Sequence, residues 1–283
     1  MVNFGPGSIA ADGTDRWESS TRWDATISVL RGWQPHIVLC QEISASDPGG
    51  LRVHLWLTAN TLGMVPVLGP PSPGSASGCH PAVLVAVSEG LIIEDASPAW
   101  PPSDGAQPAW CEALVQVPGW MQSLRAFSVA LPWRSSVEQR SQADRLAARI
   151  AELGRLGELA VAGGNWNSYG RVDPVMPATL GTAPHHLRPS RMRYSPRDGN
   201  LTPNYDVHDV LASVELEDAA AVLAPELSDQ GGPPSAEAPV NRIYLTRDLA
   251  GAVTRYVQQD MRGGERRALM LTLDGPAAAD SGR

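Results

Sequence analysis

The chain contains no lysine. All 22 of its basic residues are arginines, set against 30 acidic residues for a net charge of −8. Proteins that track a phosphate backbone usually present a basic face, because charge neutralisation supplies most of their non-specific affinity. Here only the short stretches Arg188–Arg197 and Arg262–Arg267 are rich in arginine, so nucleic acid is not the expected partner. Cysteine is scarce: Cys40, Cys79 and Cys111 are odd in number and lack ligand spacing, which argues against a disulfide framework and against a zinc site. No run of some 18 apolar residues occurs, and no apolar stretch follows the N-terminus. Neither a membrane span nor a signal peptide is expected, and the expected location is the cytoplasm. Missing lysine together with abundant Ala, Gly and Pro points to a GC-rich genome, a compositional trait and not a function.

Against this sparse charge (18%) stands a hydrophobic content of 43%, enough for a sizeable core. A single domain over 1–275 is expected, with a flexible tail at 276–283. Ala82–Val87, Leu91–Ile93, Trp110–Val117 and Leu124–Leu131 read as strands, as do Arg242–Thr246, Ala252–Gln258 and Ala268–Leu273. Their near-continuous apolar runs imply cover on both faces. Trp23, Ile27 and Leu30 fall on one helical face, with Gly32 and Pro35 beyond as stop signals. Ser135-x-x-Glu138 has the spacing of a capping box, opening a helix that carries Leu146, Ile150 and Leu153 on one side. Gly69–Gly78 and Ala224–Pro239 read as Pro/Gly/Ser-rich loops. The segment 170–206 lacks periodicity and reads as an insertion over a pocket.

The most informative stretch is Leu159-Ala-Val-Ala-Gly-Gly-Asn-Trp-Asn-Ser168: a buried strand, a tight glycine turn, then two asparagines. It resembles the Gly-Asp-[Phe/Trp]-Asn signature of the endonuclease/exonuclease/phosphatase (DNase I-like) superfamily, with Asn165 in place of the aspartate and Asn167 intact. Pro35-His-Ile-Val-Leu-Cys-Gln-Glu42 resembles the strand that ends on that family's metal-binding glutamate, and Met1-Val-Asn-Phe4 resembles its first strand ending in Asn. Asn241-Arg-Ile-Tyr244 resembles Asp-Arg-Ile-Tyr. Gly264–Leu273 resembles the terminal Ser-Asp-His strand, with Glu265 for Asp and Arg266 for His. The fold implied is a four-layer α/β sandwich of two packed mixed sheets with helices outside.

The resemblance also implies chemistry: Mg²⁺ on carboxylates, a water oriented by an Asp–Asn pair, and two histidines assisting the transition state. Asn3, Glu42 and Asn167 match that pattern. Ala130 stands where the family has a histidine, and Asn165, Asn241 and Arg266 replace the acids and the second histidine. A carboxamide accepts no proton and carries no charge for a metal, and Arg266 cannot act as an acid or base near neutral pH. Each such loss commonly costs about two to three orders of magnitude. The expectation is a chain without ordinary phosphodiesterase activity and with no required cofactor, Glu42 holding Mg²⁺ weakly or not at all. Its old cleft would act on a small-molecule ligand by cyclisation, dehydration or isomerisation. A non-catalytic ligand- or partner-binding protein and a weak Mg²⁺-dependent nuclease are the alternatives.

Candidate catalytic residues are therefore Glu42, His80, Asn165, Asn167 and Arg266. His80 opens a strand that in the family borders the active site, and a histidine there is a candidate general base. Candidate substrate contacts are Asn3, Cys111, Glu112, Trp133, Trp166 and Asn241, the tryptophans making the cleft more apolar. Plain structural roles stand beside these: His80 as a strand-end residue bonded to backbone, Cys111 as core, the tryptophans as packing. A rival polar cluster comprises His185, His186, Arg191, Arg193, Tyr194, Asp206, His208 and Asp209. Asp206-x-His208-Asp209 reads either as metal or acid/base chemistry, or as loop polarity with an aspartate at a turn or cap.

Overall fold

Side chains alternate across a strand and recur every 3.6 residues along a helix. In this sequence those two rules sort the apolar residues into separate interior layers. The structure, a computed structural model, describes residues 2–3, 9–11, 17–19, 21–43, 48–71, 80–87, 90–95, 107–171, 191–194, 197, 199–223, 241–260 and 267–275. In chain order these form β1 (Val2–Asn3), β2 (Ile9–Ala11), β3 (Trp17–Ser19), α1 (Thr21–Trp33), β4 (Ile37–Ile43), α2 (Pro48–Leu62), β5 (Met64–Leu68), β6 (His80–Ala86), β7 (Ile92–Asp95), β8 (Trp110–Gln116), β9 (Leu124–Ala130), α3 (Ser136–Arg155), β10 (Leu159–Asn165), β11 (Met192–Tyr194), β12 (Leu201–Pro203), α4 (Asp206–Ala212), β13 (Leu216–Asp218), β14 (Asn241–Thr246), β15 (Val253–Asp260) and β16 (Arg267–Leu273). One-turn helices follow β13 and β14.

Two mixed sheets carry the fold. One is four-stranded in the order β1-β4-β6-β5; the other is six-stranded in the order β13-β14-β10-β9-β8-β7. The parallel neighbours are β1 with β4 and β9 with β10. On the outside of the first sheet, Ile27, Leu30, Leu51 and Leu55 from α1 and α2 pack on Val38, Cys40, Ala82 and Leu84. Between the sheets, Leu39, Val83 and Val85 meet Ala113, Val115, Ala126, Leu159, Ile243 and Leu245. Outside the second sheet, Leu146, Ile150 and Leu153 of α3 and Val207 and Leu211 of α4 cover Trp110, Phe127, Ala162 and Tyr244. The result is the expected four-layer α/β/β/α sandwich.

Local rules explain most element ends. Ser135 Oγ accepts the Glu138 N–H at 3.2 Å and opens α3, as its spacing implies. Helix α1 runs through Gly32 to Trp33 and stops where Gln34 takes φ +48° ahead of Pro35. Several elements differ from the sequence reading, among them the short strands β2, β3, β11, β12 and β13. Helix α2 and strand β5 occupy a stretch with no clear sequence signal, and α4 replaces the polar loop expected around Asp206. Of the expected insertion, residues 172–190 lie outside the described residues, as do residues 72–78 and 224–239 of the two loops and the tail at 276–283. Among the described residues no helix is long and apolar enough to cross a membrane.

Candidate functional site

Strand register assembles the candidate site. Parallel pairing sets Asn165 of β10 opposite Ala130 of β9, and antiparallel pairing sets it opposite Asn241 of β14. The three residues form one row at the end of the six-stranded sheet. Strand alternation gives them the same face as Ala126, Leu159 and Ile243, the face turned toward the other sheet. Gly164 makes the pairing possible: a Cβ there would lie 2.0 Å from the Val129 carbonyl oxygen. After the row the chain turns through Asn167, which takes φ +51°, a conformation asparagine tolerates better than most residues. The Asn167 Nδ2 donates to the Leu131 carbonyl at 2.9 Å, and its own carbonyl accepts from Gln139 Nε2 at 3.0 Å. Asn167 is thus a clamp that joins the turn to β9 and α3.

From the opposite sheet Gln41 reaches across. Its Nε2 donates to Ser128 Oγ at 3.0 Å and approaches the Gly163 carbonyl at 3.4 Å, while Ser128 Oγ donates to the Cys40 carbonyl at 2.6 Å. These bonds tie β4 to β9 and β10 directly below the row. The Oε1 of Gln41 and the Oδ1 of Asn241 are buried and accept no hydrogen bond among the described residues. Such acceptors are costly in a dry interior and are natural contacts for a donor that enters from outside.

With this geometry the chain can be set beside known structures. An AP endonuclease from Archaeoglobus fulgidus superposes with TM-score 0.59 at 12% identity, covering 96% of this chain and 98% of that one. An endonuclease/exonuclease/phosphatase protein from Bacteroides vulgatus gives TM-score 0.59 at 14% identity, over 96% and 97% of the two chains. A mannosyl-6-phosphatase from Bacteroides thetaiotaomicron gives 0.53 at 13%, over 96% and 100%. The chain has the DNase I-like fold. No protein-family model matches the sequence, and a search of curated proteins finds no match.

Within that fold the expected site residues divide. Asn165 and Asn241 share the row, with Asn167 just beyond it. Asn3 pairs in register with Gln41, one residue before Glu42; the side chains of Asn3 and Glu42 lie outside the described residues, as do Glu265 and Arg266. His80 is a register partner of Ile43, at the same end of the four-stranded sheet as Glu42. Its Nδ1 lies 2.8 Å from the Gly69 carbonyl. A carbonyl only accepts, so Nδ1 is the donor to it, and in the neutral imidazole the lone pair is on Nε2.

Other candidates are held away from the row. Cys111 pairs with Ser128, two residues further along β9 from Ala130. It is fully buried, its Sγ donates to the Val67 carbonyl at 3.4 Å, and burial pushes its thiol up to about 12. Glu112 points to the other face of the sheet. It is fully buried there, bound by Arg149 through 2.7 and 3.3 Å hydrogen bonds, with Arg125 at 3.7 Å. Trp166 is also on that outer face: its Nε1 donates to the Arg242 carbonyl at 3.0 Å, and its ring meets Tyr244 edge-on at 5.0 Å. Trp133 is half-buried, with the Arg134 guanidinium 4.7 Å above its ring. Cys111, Glu112 and Trp166 therefore have core and ion-pair roles that separate them from the row.

The rival polar cluster is tied up in separate contacts around α4. Asp206 pairs with Arg193, Asp209 with Arg171 at 2.7 Å, and His208 Nδ1 sits 3.3 Å from the Tyr244 hydroxyl. His185 and His186 lie outside the described residues. Sequence reasoning missed a buried ion pair between Arg242 and Asp218, 3% and 1% exposed at their side chains. Gly170 backs it, since a Cβ there would fall 2.5 Å from the Arg242 guanidinium carbon. The available signal was the alternation in Asn241-Arg-Ile-Tyr244, which gives Arg242 the face opposite Asn241 and thereby demands a buried counter-ion.

The row itself supplies no carboxylate for a divalent cation, and the side chains of Asn3, Glu42 and Glu265 lie outside the described residues. Mg²⁺ requires near-octahedral oxygen ligation and usually one or two carboxylates, whereas the row offers a methyl group and two neutral carboxamides. Among the described residues no three His, Cys, Asp or Glu side chains come together as a metal group.

Proposed function

We propose that this chain no longer carries out metal-dependent phosphodiester hydrolysis and instead acts on a small organic molecule at the Ala130–Asn165–Asn241 end of the sandwich. The chemistry is of the cyclisation, dehydration or isomerisation type. One observation carries the reading. Three adjacent strands bring into one row a methyl and two carboxamides, at the positions where the motif resemblance has a histidine and two aspartates. None of the three can take a proton from water or supply charge to a metal. They can orient a neutral ligand, and the Oδ1 of Asn241 is an acceptor free for its donor. His80, with Nε2 left as a lone-pair acceptor, is the proposed base. Glu42, Asn167 and Arg266 enter this reading from the motif resemblance. The fold itself leaves the reaction open, since an AP endonuclease and a mannosyl-6-phosphatase share it.

Ligand binding without catalysis is the second reading. The observation in its favour is that His80 belongs to the other sheet and Asn167 is committed to Leu131, which leaves the row itself with acceptors and no acid.

Purified protein incubated with plasmid DNA and bis(p-nitrophenyl) phosphate in Mg²⁺ or Mn²⁺ is expected to give no metal-dependent cleavage above background. The variant combining Ala130→His, Asn165→Asp, Asn241→Asp and Arg266→His is expected to gain trace cleavage. Robust cleavage by the wild type, abolished in Glu42→Ala, overturns the proposal. Native mass spectrometry addresses the ligand: a small molecule that co-purifies with the wild type and is absent from Asn241→Leu supports the cleft as its site. His80→Gln that still binds but no longer converts that molecule separates catalysis from binding.

A further inference from the structure

At the other end of the sandwich from the row, the two sheets part around a cavity of about 500 Å³. Its walls include Ile37 at the start of β4, Leu124 at the start of β9, Val161 of β10 and Leu271 of β16, with Trp33 and Trp120 at its sides. The row lies at the far end of β9, at Ala130. Trp33, Ile37, Trp120, Val161 and Leu271 are only half-buried although they are large and apolar. Apolar side chains left half-open around one concavity, and not scattered singly, mark a binding surface. Polar groups are few and sit toward solvent: Gln34 and His36 are exposed lining residues.

We infer that this cavity is a binding site for a small apolar molecule with a single polar end, lying between the sheets with that end toward Gln34 and His36. The volume falls within the range of small-molecule sites. Leucine, isoleucine, valine and tryptophan walls give water too few partners to be held in order. Three elements bound the space. The first sheet closes one side through β4, the second sheet another through β9, β10 and β14, and β16 a third. Strands β15 and β16 pair with each other as an antiparallel ribbon, and Leu271 carries that ribbon to the cavity wall. The inference involves no residue of the row and stands if the reading of the row fails.

The test uses the full chain and 1-N-phenylnaphthylamine, a neutral apolar fluorophore. Saturable binding of one molecule per chain is expected, with low-micromolar affinity and quenching of tryptophan emission by energy transfer. Val161→Phe and Ala126→Phe fill the cavity and should each weaken binding by roughly tenfold or more, while Val65→Phe, on the exposed side of β5, leaves it unchanged. Absent or unsaturable binding, or undiminished affinity in a filled variant that still unfolds cooperatively, overturns the inference. Ile37→Asn, which puts a polar group on the half-buried wall, decides the matter if the filled variants fail to fold: weakened binding supports this site, and unchanged affinity overturns it.

Discussion

Asn165 and Asn241 are direct antiparallel partners at the end of the six-stranded sheet. Two carboxamides there are electrically neutral, whereas two carboxylates would repel at the separation of cross-strand neighbours. The present pair therefore carries no like-charge repulsion for a cation to relieve, whereas an aspartate pair would.

This relationship predicts a metal-dependent stability that is created by mutation. Asn165→Asp/Asn241→Asp should lower stability in EDTA by on the order of 1 kcal/mol, the upper end of cross-strand pair effects. Mg²⁺ or Mn²⁺ should restore much of that loss. The wild type should show no thermal shift with either ion. Thermal unfolding with and without metal measures both; equal response of the two proteins to Mg²⁺ contradicts the account.

The glycine before the pair is required by backbone approach. Gly164→Ala sets a Cβ 2.0 Å from the Val129 carbonyl oxygen, and the obstacle is backbone that cannot rotate away. The loss should exceed the ~1–3 kcal/mol typical of overpacking and should perturb the β9–β10 pairing that aligns Ala130 with Asn165. Gly154→Ala, where nothing lies within 4 Å, is the control and should be neutral or slightly stabilising by helix propensity. Urea unfolding of the two variants provides the comparison.

Long strands and the α3 cap were legible because their signals are local. The apolar run Leu124–Leu131 predicts a strand that forms over Leu124–Ala130, and the Ser135-x-x-Glu138 spacing predicts the cap that Ser135 makes. Helix α2 was not, because Pro48-Gly-Gly at its start reads as a turn and its apolar residues follow no clean stripe. Motif order placed Asn165 and Asn241 together, yet the sequence did not reveal which way neighbouring side chains pointed. Glu112 and Cys111 are adjacent in sequence and lie on opposite faces, one tied to Arg149 and the other to Val67. Those partners are 37 and 44 residues away, and single-strand patterning carries no information about them.

The Arg242–Asp218 pair tests how the outer face of β14 is held. Both side chains are almost fully buried, so Asp218→Ala removes a charged partner from a buried guanidinium. A loss of about 3–5 kcal/mol is expected, because removing one member of a buried pair exposes the full desolvation cost of the other. Asp209→Ala breaks the Arg171 pair, whose members are 56% and 47% exposed, and should change stability little. Chemical denaturation of both variants at neutral pH checks the ratio.

His208 supplies a pH dependence with a definite sign. Burial pushes its pKa below the ordinary 6.5; Arg242 and Arg171 act in the same direction, while Asp218 and Asp209 oppose it. The unfolded chain therefore binds more protons than the folded one between the two values. The contribution of neutral His208 to stability is complete above about pH 6.5 and is lost as pH falls through the depressed folded value. Asp209, held low first by its hydrogen bond to Arg171, also favours the folded state less as pH falls, but only in the carboxylate range below that window. The wild type should accordingly lose stability on titration from pH 8 toward pH 5, and His208→Gln, which keeps a polar group for the Tyr244 hydroxyl, should flatten the decline. Denaturation midpoints at half-unit steps of pH read the difference between the two curves; parallel curves would remove His208 as the source.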